Sequence, residues 1–199
     1  MLRLERLLWD LGYRRVAGVD EVGLGPLAGP VVAAAVVFPV DPAYLEVADS
    51  KRLSARRREV LDEQIRATAL AVGTGIVGVS ELDRMGVRAA GLEAMRRAVC
   101  ALDPPPDYLL VDARQVPGVA MGQSAFVKAD SFIYSVAAAS IVAKVARDAM
   151  MRRLDKTFPG YGFGVHMGYG TRQHLSALEE LGPCAIHRRS FAPVKRLLG

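Results

Sequence analysis

AGVDEVGLGPLAGP, residues 17–30, is the stretch from which the rest of the chain is best read. An apolar run from Arg15 to Val22 carries two adjacent carboxylates, Asp20 and Glu21, then gives way to a glycine turn and a second apolar run from Pro30 to Phe38. The second run is dense in Val and Ala, the composition of a strand buried on both faces. Two strands joined by a short turn are simplest as a hairpin. Neighbouring carboxylates repel each other and lose hydration when partly buried, so a fold that keeps them together offsets their charge with a cation or a proton. The glycines allow backbone N–H groups to approach a ligand closely. On the dipeptide alone, a solvated strand end is the commoner explanation, and the other acids of the chain must decide.

Working outward, MLRLERLLWDLG at residues 1–12 reads as a short amphipathic helix, because Glu5 and Arg6 interrupt its apolar run and no cleavage-type site follows. Ser54 to Ala67 reads as a helix with Ser54 as N-cap, and Ala69 to Val79 as a strand. Ser80 to Leu102 shows helical spacing at Leu82, Met85, Ala89, Leu92 and Ala98, and the three prolines at 104–106 stop it. Tyr108 to Val111 is a short strand ending at Asp112, Ser124 to Lys128 another, and Ser131 to Leu154 a long alanine-rich helix that begins beside Asp130. Past Pro159 come glycines and aromatics, a helix from Thr171 to Leu181, and a basic tail. This order predicts an α/β domain with a mixed sheet over residues 1–158 and a small C-terminal helical lobe over 159–199.

With 199 residues, 51% of them hydrophobic, the chain can bury a core of its own. Lys and Arg number 26 against 21 Asp and Glu, a net charge of +5, and the basic residues gather at 52–58, 147–156 and 187–196, which suits a polyanionic partner. Two cysteines, Cys100 and Cys184, form no CxxC pair, which argues against a zinc site or a disulfide framework and for a reducing cytoplasm. No segment has the length of uncharged apolar chain that a membrane span needs, so no membrane association is expected.

Asp20 and Glu21 end one strand, Asp112 ends another, and Asp130 opens the long helix. Four acids from separate segments can converge at one edge of a sheet, the crevice where open α/β sheets bind ligands. Oxygen donors of this kind favour Mg²⁺ or Mn²⁺, and two such ions about 3.5–4 Å apart can support in-line displacement at a phosphodiester. Taken singly, each acid also fits a capping or flanking role. A nucleotide-binding alternative rests on Gly73-x-Gly75-x-x-Gly78, which lies inside a predicted strand, and on the first glycine turn, which lacks the Lys-Ser/Thr of a phosphate-binding loop.

Six segments together resemble bacterial ribonuclease HII over nearly the whole chain: AGVDEVGLGPLAGPVVAAAVV at 17–37, DSKRLS at 49–54, VDA at 111–113, ADSFIYSVAAASIVAKVARD at 129–148, YGFGVHMGYGT at 161–171 and IHRRSFAPV at 186–194. The resemblance implies a ribonuclease H-like fold and an acidic metal-binding set of Asp20, Glu21, Asp112 and Asp130, holding Mg²⁺ or Mn²⁺. It implies endonucleolytic hydrolysis of RNA in RNA–DNA hybrids and at single ribonucleotides in duplex DNA, cut on the 5′ side, by a monomer. In the family the glycine turn, here Gly23, Leu24 and Gly25, and a tyrosine, here Tyr169, recognise the ribonucleotide and its DNA junction. Lys51, Lys144 and Arg188 or Arg189 are candidate phosphate contacts, each also explicable as a solvated charge. His166, His174 and His187 have no metal-like spacing and read as structural or phosphate-contacting. Leu24 stands where the family normally has arginine, Met167 where lysine is frequent and Ala113 where glycine is frequent. These departures keep open a second class, a hybrid- or duplex-binding protein of the same fold with weakened catalysis or junction selectivity.

Overall fold

The computed structural model describes residues 1–43, 45–47 and 53–199. Five strands form one sheet in the order β3-β2-β1-β4-β5. They are β1 (Val16–Val22), β2 (Val31–Val37), β3 (Ala71–Val77), β4 (Tyr108–Asp112) and β5 (Gly122–Phe126). The glycine turn closes an antiparallel hairpin in which Asp20 pairs with Ala34 and Glu21 with Ala33, as its sequence predicts. β3 adds antiparallel to β2, whereas β4 and β5 run parallel to β1, so the sheet is mixed.

Strand alternation divides the core. Odd positions of β2 (Val31, Ala33, Ala35, Val37), with Ala17 and Val19 of β1, meet α4 (Val87–Cys100). Ala34 and Val36 with Val16 meet α1 (Arg3–Asp10), α2 (Ala55–Thr68) and the long α5 (Tyr134–Thr157) on the opposite face. The segment expected as one helix over 80–102 is two, α3 (Val79–Met85) and α4, because Gly86 between them takes φ 84°, a left-handed conformation that interrupts a right-handed helix. Gly73 and Gly75, the candidate nucleotide motif, instead let α4 lie against β3: a Cβ on either would stand 2.1 or 2.0 Å from the carbonyl oxygen of Ala98 or Ala94.

α5 begins later than its sequence suggests. Residues Ala129–Ser131 form a separate 3-10 turn, pulled toward the sheet by the bond from the Ala129 N–H to Asp112 Oδ1 at 2.7 Å. The α5 N-terminus is instead capped from outside: Glu5 of α1, buried, accepts from both the N–H and the hydroxyl of Ser135 at 2.8 Å. Beyond α5 lie α6 (Phe163–His166), α7 (Arg172–Leu181) and α8 (Ala192–Lys195), with Tyr161 and Phe163 packed on Ala28 and Met151. Among the described residues no helix is long and apolar enough to cross a membrane.

Candidate active site

Because β1, β4 and β5 run parallel, their carboxyl ends open at one edge of the sheet. Asp20 and Glu21 stand near the end of β1, Asp112 ends β4, and Asp130 sits in the 3-10 turn that follows β5. All four line one recess of about 260 Å³, together with Val22, Gly23, Leu24, Gly25, Ser140, Lys144 and Tyr169. Alternation sends the two adjacent acids to opposite faces. Asp20 turns toward α5, where it is hydrogen-bonded by the Ser140 side chain, and Glu21 turns toward α4, its Cγ 3.9 Å from the Cβ position of Gly91.

Asp20 is buried, and its Oδ1 accepts from the Glu21 N–H at 2.7 Å. Burial, then the charges of Glu21, Asp112 and Asp130, push its carboxyl well above the ordinary carboxylate range, against the opposing Ser140 hydrogen bond. Among the described residues no three His, Cys, Asp or Glu side chains already form a closed metal cage. Asp20 Oδ1 and Asp112 Oδ1 are each held by a backbone N–H, which fixes both carboxylates at the recess. An all-carboxylate donor set whose mutual repulsion burdens a buried member fits a hard divalent cation that keeps part of its water. One face of α5 completes this wall through Ser140 and Lys144, with Asp148 the next residue on the same face, the three spaced by four. Buried Asp148 receives the Lys144 ammonium and lies 3.6 Å from the Arg58 guanidinium, while burial pulls the Lys144 amine below its ordinary range. Ser140 and Asp148 are not singled out by sequence, although the i, i+4 spacing from Lys144 marks both.

The glycine turn faces Tyr169: a Cβ on Gly25 would lie 3.8 Å from Tyr169 Cε1. Tyr169 is exposed, with the Arg147 guanidinium 6.0 Å from its ring centroid. Its carbonyl is held by His174 Nδ1 at 2.9 Å, and His174 Nε2 meets His187 Nε2 at 3.1 Å. The Cys184 N–H donates to His187 Nδ1, which leaves the proton on His187 Nε2; it donates to His174 Nε2, whose proton then sits on Nδ1 and reaches Tyr169. The three histidines are therefore structural: all are buried, and burial holds His187 down to about 4.

Arg188 also departs from expectation. It is wholly buried, and its guanidinium donates to the carbonyls of Gly23 (2.6 Å), Leu24 (3.0 Å) and Gly29 (2.9 Å), so it is not placed to meet a phosphate. Arg189 is exposed, its N–H on Asp83. Lys51 lies outside the described residues. Leu24 is half-buried and packs on α4, where a Cβ on Gly91 would be 3.0 Å from its Cδ2. It divides the acid recess from a second one of about 170 Å³, floored by Gly91, Leu92 and Met95 and flanked by Arg88 and Arg114. Sequence reading passes over these two arginines because β4 and α4 meet only in the fold.

The family model described as Ribonuclease HII matches residues 17–194. The chain belongs to the ribonuclease HII family. It is 50% identical over 198 residues to the ribonuclease HII of Geobacillus kaustophilus, covering 100% of this chain and 76% of that one. To the ribonuclease HII of Nitrosococcus oceani it is 52% identical over 185 residues, 93% of this chain and 92% of the relative. The crystal structure of ribonuclease H2 from Pyrococcus horikoshii superposes with a TM-score of 0.79 at 28% identity, covering 92% of this chain and 96% of that one. The mixed sheet flanked by helices is thus the ribonuclease H fold, and the chain is an endoribonuclease of the ribonuclease H type that acts on RNA–DNA hybrids.

Proposed function

We propose that this ribonuclease HII incises on the 5′ side of a ribonucleotide, in hybrids and at single ribonucleotides within duplex DNA, by hydrolysis that depends on two Mg²⁺ or Mn²⁺ ions. The observation that carries the reading is the sharing of one recess by the four carboxylates, the Gly23–Gly25 turn and Tyr169. Asp20, Glu21, Asp112 and Asp130 would hold the ions, which when bound lower the pKa of water and stabilise the leaving oxygen. The chain's own residues supply position. Backbone groups of Gly23, Leu24 and Gly25 meet the 2′-hydroxyl, the group that separates RNA from DNA, and the Tyr169 ring packs on the adjoining deoxyribose. Lys144, Arg189 and Lys51 hold phosphates, and residues 159–199 act as the substrate-binding lobe. The free cysteines Cys100 and Cys184 suit a cytoplasmic setting.

The test is a labelled duplex with one ribonucleotide, incubated with protein at saturating concentration and either ion. Cleavage 5′ of the ribonucleotide, leaving a 3′-hydroxyl, is expected. Absence of cleavage with both ions, binding intact, would establish the binding-protein alternative that Leu24 raises. Asp20→Asn should abolish cleavage and yet raise the melting temperature of the metal-free protein as pH rises, since it removes an ionisable group whose charged form burial and three carboxylates oppose.

A further inference from the structure

Arg147 and Arg188 lie side by side beneath the glycine turn, both wholly buried. Among the described residues every hydrogen bond from their guanidinium groups goes to a main-chain carbonyl: Arg147 to Pro30, Ala28 and Met167, and Arg188 to Gly23, Leu24, Gly29 and Pro30. Two buried cations satisfied by carbonyls alone are an expensive arrangement unless the carbonyl geometry itself matters.

The geometry has a definite consequence for the opposite edge of each peptide. A trans peptide is planar, with its C=O and N–H pointing in opposite directions. Arg188 draws in the carbonyls of Gly23 and Leu24, so the N–H groups of Leu24 and Gly25 point away from it. Residues 23–25 line the carboxylate recess, so donors directed away from Arg188 are within its reach. Consecutive N–H groups in a turn form a concave site for an oxygen ligand, and the cation behind the carbonyls polarises the same peptides. Position 23 requires glycine in this geometry: its φ is 95°, and a Cβ there would lie 2.3 Å from Arg147 Nε. The turn is also tied to the Tyr169 segment through Leu27 N–H to Gly168 and the Arg147–Met167 bond, and to the Arg188 segment through Arg188 N–H to Leu27.

We infer that Arg188 is a positioning residue that aims the Leu24 and Gly25 N–H groups at a sugar hydroxyl in the recess, so that recognition of the ribonucleotide depends on a buried side chain that never touches it. This rests on the proposed role of the turn in reading the ribonucleotide. The side chain at position 24 is then dispensable for that recognition, because both donors belong to the backbone.

Arg188→Lys keeps a cation but replaces a planar fork by a single nitrogen that cannot span the four carbonyls. Binding is measured without divalent ions, comparing a duplex with one ribonucleotide and the same duplex in DNA alone. The variant should lose about tenfold of the preference for the ribonucleotide, the worth of one or two hydrogen bonds, while its affinity for the DNA duplex stays within about twofold. A merely structural role would lower the melting temperature and leave the preference intact. Amide NMR on the same variant gives a reading independent of substrate: the Leu24 and Gly25 signals should shift. An unchanged preference, or unmoved signals in the folded variant, overturns the inference. Shifted signals with no ribonucleotide preference in the parent protein would uphold the role of Arg188 in shaping the turn and refute the ribonucleotide reading instead. Should Arg188→Lys fail to fold, semisynthetic replacement of the Leu24–Gly25 amide by an ester deletes the Gly25 donor with Arg188 in place; loss of preference supports the inference and retention refutes it.

Discussion

Leu24→Arg tests whether the side chain on the glycine turn governs affinity separately from the turn's backbone. In the native protein Leu24 is half-buried against Gly91, beside an apolar floor of Leu92 and Met95. Withdrawing about half a leucine from that contact costs about 1 kcal/mol, which the fold tolerates. In exchange, a guanidinium at the mouth of the recess gains a charge-assisted bond to phosphate, worth about 1.5–3 kcal/mol, reduced by the like charges of Arg88 and Arg114 on the same rim. The net gain should be about 1–2 kcal/mol, or roughly 5- to 30-fold in affinity at low salt. One added phosphate contact steepens the dependence of log affinity on log salt by about 0.9, so raising salt from about 50 to about 200 mM should shrink the gain roughly threefold. Fluorescence anisotropy with a ribonucleotide-containing duplex in chelator reads both quantities. Equal affinity of the two proteins at each salt, or a gain that salt leaves untouched, would refute the reasoning.

Ala113, φ 56°, occupies the left-handed region just past β4, so Ala113→Gly should stabilise the protein by about 0.5–1 kcal/mol after the added freedom of the unfolded chain is subtracted, read from urea unfolding. Glu5→Ala should cost about 2–3 kcal/mol, because the α5 N-terminus loses a buried carboxylate that accepts two hydrogen bonds, and Glu5→Gln, which keeps an accepting oxygen, should cost less; equal losses would mean that the charge, absent from both variants, carries the whole effect. His187 is neutral in the folded protein down to about pH 4, against 6.5 when unfolded, so the unfolded chain binds the extra proton between those values and stability falls as pH drops through them. The contribution lost is about 3 kcal/mol, and His187→Gln should flatten the slope of stability against pH in that window by about 1.4 kcal/mol per unit; an unchanged slope would show that His187 is not the group responsible.

What could be seen in the sequence was whatever short-range pattern controls. The hairpin, the strand ends carrying Asp20, Glu21 and Asp112, and the length of α5 follow from alternation, turn residues and helical spacing. Gly86 was unread because a single glycine within a helical pattern is ordinarily tolerated, and only its positive φ shows that α3 and α4 are separate. From sequence alone Arg188 fits a phosphate contact or a solvated charge, because its acceptors, Gly23, Leu24 and Gly29, are about 160 positions away in the chain, and no local pattern reveals that a cation will be satisfied by carbonyls. The chain from Cys184 through His187 and His174 to the Tyr169 carbonyl spans far fewer positions, but it is set by the folding of the C-terminal segment and by the histidine tautomers, which no helix or strand period encodes.

The arrangement separates tasks by the kind of atom that performs them. The carboxylates are set by strand ends, and parallel pairing of β1 with β4 keeps Asp20 and Asp112 at one edge whatever the turn carries. The donors of the turn are main-chain groups fixed from beneath, so a change of side chain at position 24 leaves their direction intact. The side chain at position 24 is open to substitution, and it shares its recess with Arg88 and Arg114. It follows that Leu24→Arg and Arg188→Lys should act on different quantities. The first should change affinity for ribonucleotide-containing and all-DNA duplexes alike, with a salt-dependent gain. The second should change the ratio between those duplexes with little effect of salt, because a buried guanidinium releases no counterion from the nucleic acid. If both variants moved the same quantity, the turn would be acting as one undivided contact and the separation of backbone from side chain would fail.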